Sequence, residues 1–197
     1  MQWRRGTFAV HRWMGLVVSL QLLAWSVGGF VFSILDIDNV RGDLDKRINP
    51  PPSLSMDRVA VTPWVAHGHA VFGGVSADKI ARIVLKERFG SPVYDFYGSG
   101  GRPLTSVDAV TGELRPRVPA ERVAEVALAD FVHPASVTSV TLLEGEPPSE
   151  YRGGVMPVYQ VILDHPKRPH LYICPVTGKV LKRRNRPWRV FDFFWML

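Results

Sequence analysis

The sequence predicts an α+β protein: one N-terminal transmembrane helix, then two tandem units, each a helix followed by a three-stranded antiparallel sheet. Three observations carry this expectation. The run from Trp13 to Leu35 holds no charged residue. Behind it, several short motifs occur twice at nearly constant separation. The only cysteine is Cys174, so no disulfide within the chain can hold the fold, which must rest on packed apolar surface.

The uncharged run is about 23 residues long, roughly 34 Å as a helix, against a bilayer core of about 30 Å. Arg4, Arg5 and Arg12 precede it with no acid among the first twelve residues. Asp36, Asp38, Asp43 and Asp45 follow it. The positive-inside bias then places the N-terminus in the cytoplasm and the bulk of the chain outside. Trp3 and Trp13 stand where an interfacial aromatic belt would lie. A cleaved signal peptide would have a shorter apolar core and a small-residue cleavage site, so residues 1–36 are read as a basic tip and an uncleaved anchor.

One face of this helix is distinctive. His11, Gly15, Ser19, Leu22, Ser26, Gly29 and Ser33 follow one another three or four residues apart, a single stripe on a helix. Most are small, so another helix can approach closely, and a partner transmembrane helix is expected on Gly15, Ser19, Ser26, Gly29 and Ser33. His11, near the cytoplasmic end of the same stripe, could ligate haem iron axially; the competing reading is an interfacial histidine bonded to headgroups or water. Gln21, near mid-membrane, calls for a hydrogen-bond partner.

The net charge of +6 is unevenly placed. Lys179, Lys182, Arg183, Arg184, Arg186 and Arg189 form a second basic block, and what remains between the two ends is acidic. A nucleic-acid binder needs its basic surface on the folded unit, so no nucleic-acid partner is expected. Basic ends suit lipid headgroups instead. In residues 184–197 the basic block runs into Phe191, Phe193, Phe194 and Trp195, which reads as a return to the membrane. Arg183, Arg184, Arg186, Trp188, Arg189 and Trp195 are expected at the lipid interface.

Residues 37–56, with Asn49-Pro50-Pro51-Pro52, read as a stiff linker. Two units follow, at 57–117 and 118–183. Thr62-Pro63 and Val118-Pro119 each place proline at a helix start. Pro92-Val93-Tyr94 recurs as Pro157-Val158-Tyr159, and Val110-Thr111-Gly112 as Val176-Thr177-Gly178. Glu146 to Gly154 is a loop-like insertion that accounts for the wider spacing of the later motifs. Strands are expected at Ile80–Glu87, Val93–Tyr97, Val137–Glu144 and Val158–Leu163, with a third strand in each unit running into its Thr-Gly turn. Either unit alone has little core, so the two should pack together.

Potential chemistry in the soluble part is sparse. His67 and His69 would point about 200° apart on a helix and cannot share a metal there. His133 precedes Pro134 at a helix end, and His165 and His170 bracket a Pro-Lys-Arg-Pro loop, where surface positions are expected. Gly98-Ser99-Gly100-Gly101 lacks the strand-to-helix setting of a nucleophile elbow and the Lys-Ser/Thr ending of a phosphate loop. Asp108 reads as a turn-stabilising carboxylate and Cys174 as a buried structural thiol. No catalytic residue or metal site is assigned.

A helix, three strands and the closing Val107-Asp-Ala-Val-Thr-Gly-Glu-Leu114 resemble the PepSY domain. The second copy, Ile173-Cys-Pro-Val-Thr-Gly-Lys-Val180, departs from it at Cys174 and Pro175. The N-terminal stretch around His11-Arg12-Trp13-Met14-Gly15-Leu16 resembles the first helix of the PepSY-associated transmembrane family, and Arg189 to Leu197 resembles the stretch leading into that family's next helix. The resemblance covers nearly the whole chain. It implies a bacterial inner-membrane protein with a periplasmic main domain, connected with iron uptake, ferric-siderophore reduction or membrane electron transfer. It also implies b-type haem held by helix histidines in some members, and PepSY units that inhibit peptidases. The alternative expectation is a periplasmic protein-binding module or accessory subunit without redox chemistry. In the family a histidine and a second membrane helix follow the aromatic stretch; the sequence given ends at Leu197, short of both.

Overall fold

A computed structural model describes residues 2–50 and 52–196, with side chains from Gly6 onward. The side chains of Trp3, Arg4 and Arg5, along with Pro51 and Leu197, lie outside the described residues. The chain divides into two compact units, one formed by residues 1–44 with 184–197 and the other by residues 45–183.

In the first unit, α1 runs Gln2–Ile34 without interruption, and its Gly6–Ile34 stretch is long and apolar enough to cross a membrane. Asp36 ends that run by capping a short helix, α2 (Ile37–Arg41): its Oδ1 accepts from Asp38 N at 2.9 Å. Gly42 closes α2 in the left-handed conformation, φ 76°. A further helix of this unit, α5 (Arg186–Trp195), starts at Asn185, whose Oδ1 accepts from Trp188 N at 2.8 Å. Asn185 Nδ2 donates to Asn39 O at 2.7 Å, tying α5 to α2. The aromatic side of α5 lies along the end of α1: the Phe32 ring sits 4.6 Å from Phe191 and 6.2 Å from Trp195.

The second unit holds two antiparallel sheets. The first has three strands in the order β1 (Arg82–Arg88), β2 (Ser91–Tyr97) and β3 (Pro103–Asp108). Helix α3 (Pro63–Phe72) covers one face of it. Thr62 caps α3 and Pro63 fills its first position, as the sequence predicts. Ala66 and Ala70 of α3 meet Tyr94, Phe96, Val107 and Ala109 in a core that excludes water. The two-residue β1–β2 turn needs positive φ at both positions, met by Phe89 (51°) and Gly90 (81°).

The second sheet has four strands, not the expected three: β4 (Ser136–Leu143), β5 (Val158–Asp164), β6 (His170–Ile173) and β7 (Val180–Arg184), in that order. Helix α4 (Ala120–Asp130) packs on it through Val123 and Ala127 against Val161, Leu163, Leu171 and Ile173. Residues 146–154 fold back over the other face. There Tyr151, 1% exposed, stacks on Tyr172 with centroids 4.4 Å apart, and Lys182 Nζ lies over the Tyr151 ring.

The two Val-Thr-Gly motifs adopt one turn. Gly112 N donates to Asp108 O and Gly178 N to Cys174 O, both at 2.9 Å. Asp108 N donates to Glu113 O at 2.8 Å, and Cys174 N to Lys179 O at 2.9 Å. Both glycines have positive φ, 79° and 68°. The segment expected as a linker is partly built into its surroundings: Lys46 forms a bridge with Phe131, and Arg47 N donates to Asp130 O.

Candidate functional site

On α1, His11, Gly15, Ser19, Ser26, Gly29 and Ser33 are all exposed on one face, the face expected to meet another helix. Two of its three serines satisfy their hydroxyls on the helix itself: Ser26 Oγ donates to Leu22 O and Ser33 Oγ to Phe30 O, each at 2.8 Å. This lets them face an apolar surface without an orphaned donor. Helix α5 takes a neighbouring face, lined by Trp25, Gly28, Gly29 and Phe32, with only Gly29 shared with the stripe. A Cβ at Gly28 would stand 3.6 Å from Phe194 O, so this glycine sits where α5 comes close.

The arginines expected at the lipid interface fall into two settings. Arg183, in β7, is held by Asp130 of α4, with Nε donating to Oδ2 at 2.6 Å and Nη2 to Oδ1. That fork-to-carboxylate geometry is the strong form of such a pair. Arg184 lies over the Trp188 ring at 4.3 Å. Arg186, Trp188, Arg189 and Trp195 all lie on α5, with Arg186 and Trp195 exposed.

Inside the two-sheet unit the polar residues gather into three clusters that sequence reasoning missed. The first lies on the face of the three-stranded sheet away from α3. Asp95 is 0% exposed and Arg88 only 7%. Asp95 Oδ1 accepts from Ser106 Oγ at 2.6 Å and from Arg88 Nη1 at 3.2 Å, while Lys86 Nζ stands 2.5 Å from Oδ2. Arg88 Nη1 also donates to Val176 O at 2.6 Å, so the second Thr-Gly turn is pinned to the first sheet. Burial lowers the Arg88 guanidinium from its ordinary value, opposed by the Asp95 charge. Burial and the same carboxylate push the Tyr97 hydroxyl up to about 12. The signal was the period of two, which puts Lys86, Arg88 and Asp95 on one face once the hairpin register is known.

The second cluster surrounds Asp45. Its Oδ1 accepts from Lys167 Nζ at 2.7 Å and pairs with His133 Nε2 at 3.0 Å. His133 stacks on His165, and both rings meet the Phe131 ring edge-on. Burial alone would raise the Asp45 carboxyl, but the hydrogen bonds from Lys167 and His133 outweigh it and hold it below its ordinary value. The third cluster is Glu150, whose Oε1 accepts from Tyr172 OH at 2.6 Å and pairs with His170 Nδ1. His165 and His170 are therefore tied into packed clusters, not loose on a loop.

The remaining positions singled out in the sequence are structural. His69 Nδ1 bonds to Gly112 O, and His67 lies edge-on to Trp64 on the same helix. Asp108 Oδ1 accepts from Val110 N at 2.8 Å and Thr111 N at 3.1 Å, and Oδ2 from Arg115. Those bonds outweigh burial and lower its pKa. Cys174 is buried, its Sγ accepting from Thr177 N at 3.4 Å. Among the described residues, no three His, Cys, Asp or Glu side chains are grouped to hold a metal ion.

One groove of the two-sheet unit is mainly apolar. It has a volume of about 440 Å³ and lies beside the edge strand β1, lined by Met56, Val59, Val61, Ile83, Leu85 and Tyr94. An edge strand presents unpaired backbone groups, and with an apolar groove alongside it can accept an extended segment.

Comparison of the chain with protein-family models, curated proteins and solved structures finds no match.

Proposed function

We propose that this is a membrane-anchored module of the PepSY-associated transmembrane type, a non-catalytic component of a membrane electron-transfer or ferric-siderophore-reducing assembly. Its N-terminus is cytoplasmic and its two-sheet unit periplasmic, each sheet with its helix being one PepSY-like copy. The observation that carries this reading is the division of labour between the units. The helix able to cross a membrane is exposed nearly all round, and His11 and a row of small residues share one side of it. In the soluble unit, the charged clusters are engaged in internal pairs. Contacts with other subunits would thus be made by the helix face, and haem b held through His11 would need a second axial ligand from another helix. Purification of the full chain in detergent with its membrane partners, followed by a reduced-minus-oxidised spectrum, tests this. Bands of b-type haem that vanish in His11→Ala support it. An unchanged spectrum in that variant removes His11 from the role.

A second reading is favoured by the apolar groove beside β1. On it the soluble unit is a docking module for a periplasmic protein, such as a peptidase, and the helix only localises it. Substituting Leu85→Glu in the full chain would then abolish co-purification of that protein while leaving any haem spectrum intact.

A further inference from the structure

Helix α3 is amphipathic in an inverted sense. Its small residues, Ala66 and Ala70, face the core, and its large apolar residues face out. Trp64 is 83% and Phe72 97% exposed, with Val65 and Val71 between them also exposed. At 100° per residue these four and Gly68 fall on one stripe, diametrically opposite Ala66 and Ala70. No Asp, Glu, Lys or Arg lies on α3, so the stripe carries no fixed charge.

Gly68 has no reason of its own within the chain. It sits mid-helix, where glycine is among the least favourable residues. Its φ is not positive, and a Cβ added to it would meet nothing within 4 Å. What does require glycine at an exposed mid-helix position is close approach of another backbone from outside.

The stripe is also its own complement. Trp64 and Phe72 lie four residues either side of Gly68, and Val65 and Val71 three residues either side. A two-fold axis through Gly68 would cross two copies of α3 antiparallel. Trp64 of one copy would then face Phe72 of the other, and Val65 would face Val71. Two-fold interfaces demand this self-complementarity, and two uncharged, antiparallel helices meet without repulsion between side chains or end dipoles.

We propose that the occupant of this face is a second copy of this chain, in an antiparallel α3–α3 contact centred on Gly68. Five residues a side bury far less than the roughly 800 Å² per partner of a standard interface. The contact therefore depends on concentration, which anchoring both copies in one bilayer supplies.

Cysteine cross-linking of the full chain in phosphatidylcholine vesicles tests it. The native thiol, Cys174, is 3% exposed and stays out of the reaction. Trp64→Cys and Phe72→Cys chains, carrying different tags, should form the mixed disulfide dimer when reconstituted together. Either variant alone should not, because like positions would be about 12 Å apart along the axis, beyond the roughly 7 Å reach of a disulfide. Adding Gly68→Leu to both should cut the mixed dimer at least ~10-fold, with the far-ultraviolet circular dichroism unchanged. Three results overturn the proposal. One is a mixed yield no higher than that of Glu146→Cys, an exposed position in the loop after β4. Another is equal yields for like and mixed pairs. The last is a yield indifferent to Gly68→Leu, as a lipid or a different protein on this face would give.

Discussion

Replacing Asp95 by leucine should be among the most damaging single changes in the two-sheet unit. The carboxylate is fully buried and faces Arg88, which is nearly so, with Ser106 and Lys86 as further partners. Removing it leaves the Arg88 guanidinium with Ser106 Oγ and Val176 O, and without a counter-charge. Breaking one side of a buried ion pair costs about 3–5 kcal/mol. For a unit of this size each kcal/mol shifts the melting temperature by about 2–4 °C, so a fall of roughly 6–20 °C is expected. The informative step is the cycle with Arg88→Met. Two apolar side chains in place of the pair should recover much of the loss, because the stranded charge is gone. Thermal and urea unfolding of the full chain in detergent, followed by circular dichroism, measures all four corners. A loss below ~1 kcal/mol for Asp95→Leu, or additivity with Arg88→Met, would refute the claim that Asp95 is the counter-charge that Arg88 depends on.

Three further outcomes follow from the same geometry. The Asp45 carboxyl is depressed in the fold, so its stabilising contribution is present above the ordinary value of 3.8 and is lost as the pH falls through the lower folded value. Asp45→Asn should cost about 1–3 kcal/mol at neutral pH and flatten the acid limb of the stability curve, read by urea midpoints between pH 2 and pH 7. Gly112→Ala forces a side chain onto φ 79° with its Cβ 2.8 Å from the His69 ring, and should cost about 1–3 kcal/mol. Gly145→Ala, in open space, serves as its neutral control in the same melts. Cys174 should react with a maleimide at least ~100-fold more slowly in the folded chain than in urea, since it reacts only when the structure opens.

The elements legible in the sequence are those written locally. An uncharged run of adequate length gave α1, and proline after threonine gave the start of α3. The repeated Thr-Gly pair located two turns of one kind. Strand β7 was hidden because Val180-Leu181-Lys182-Arg183-Arg184 reads as a basic block; charged side chains are what an edge strand carries. Helix α2 could have been found, since Asp36 and Gly42 are a helix start and a helix stop with five residues between them. The polar clusters could not. Asp45 meets His133 and Lys167 across 88 and 122 residues of chain, and no local pattern announces a contact at that separation. The insertion at 146–154 was visible as a loop, but its role in covering the second sheet depends on Tyr151 finding Tyr172.

The two like turns differ at one residue in a way that decides how the sheets can meet. Asp108 answers two backbone donors and keeps its charge beside Arg115, near solvent. Cys174 answers one donor with its sulfur, and its turn is sunk against the first sheet to offer Val176 O to Arg88. Were both turns to keep the carboxylate, the second would have to carry an ionised group into a buried position and lose its hydration there. Exchanging an ionised group for a soft one gives a pair of near-twins a head and a tail: one lends its turn, the other receives it, and the roles cannot be swapped.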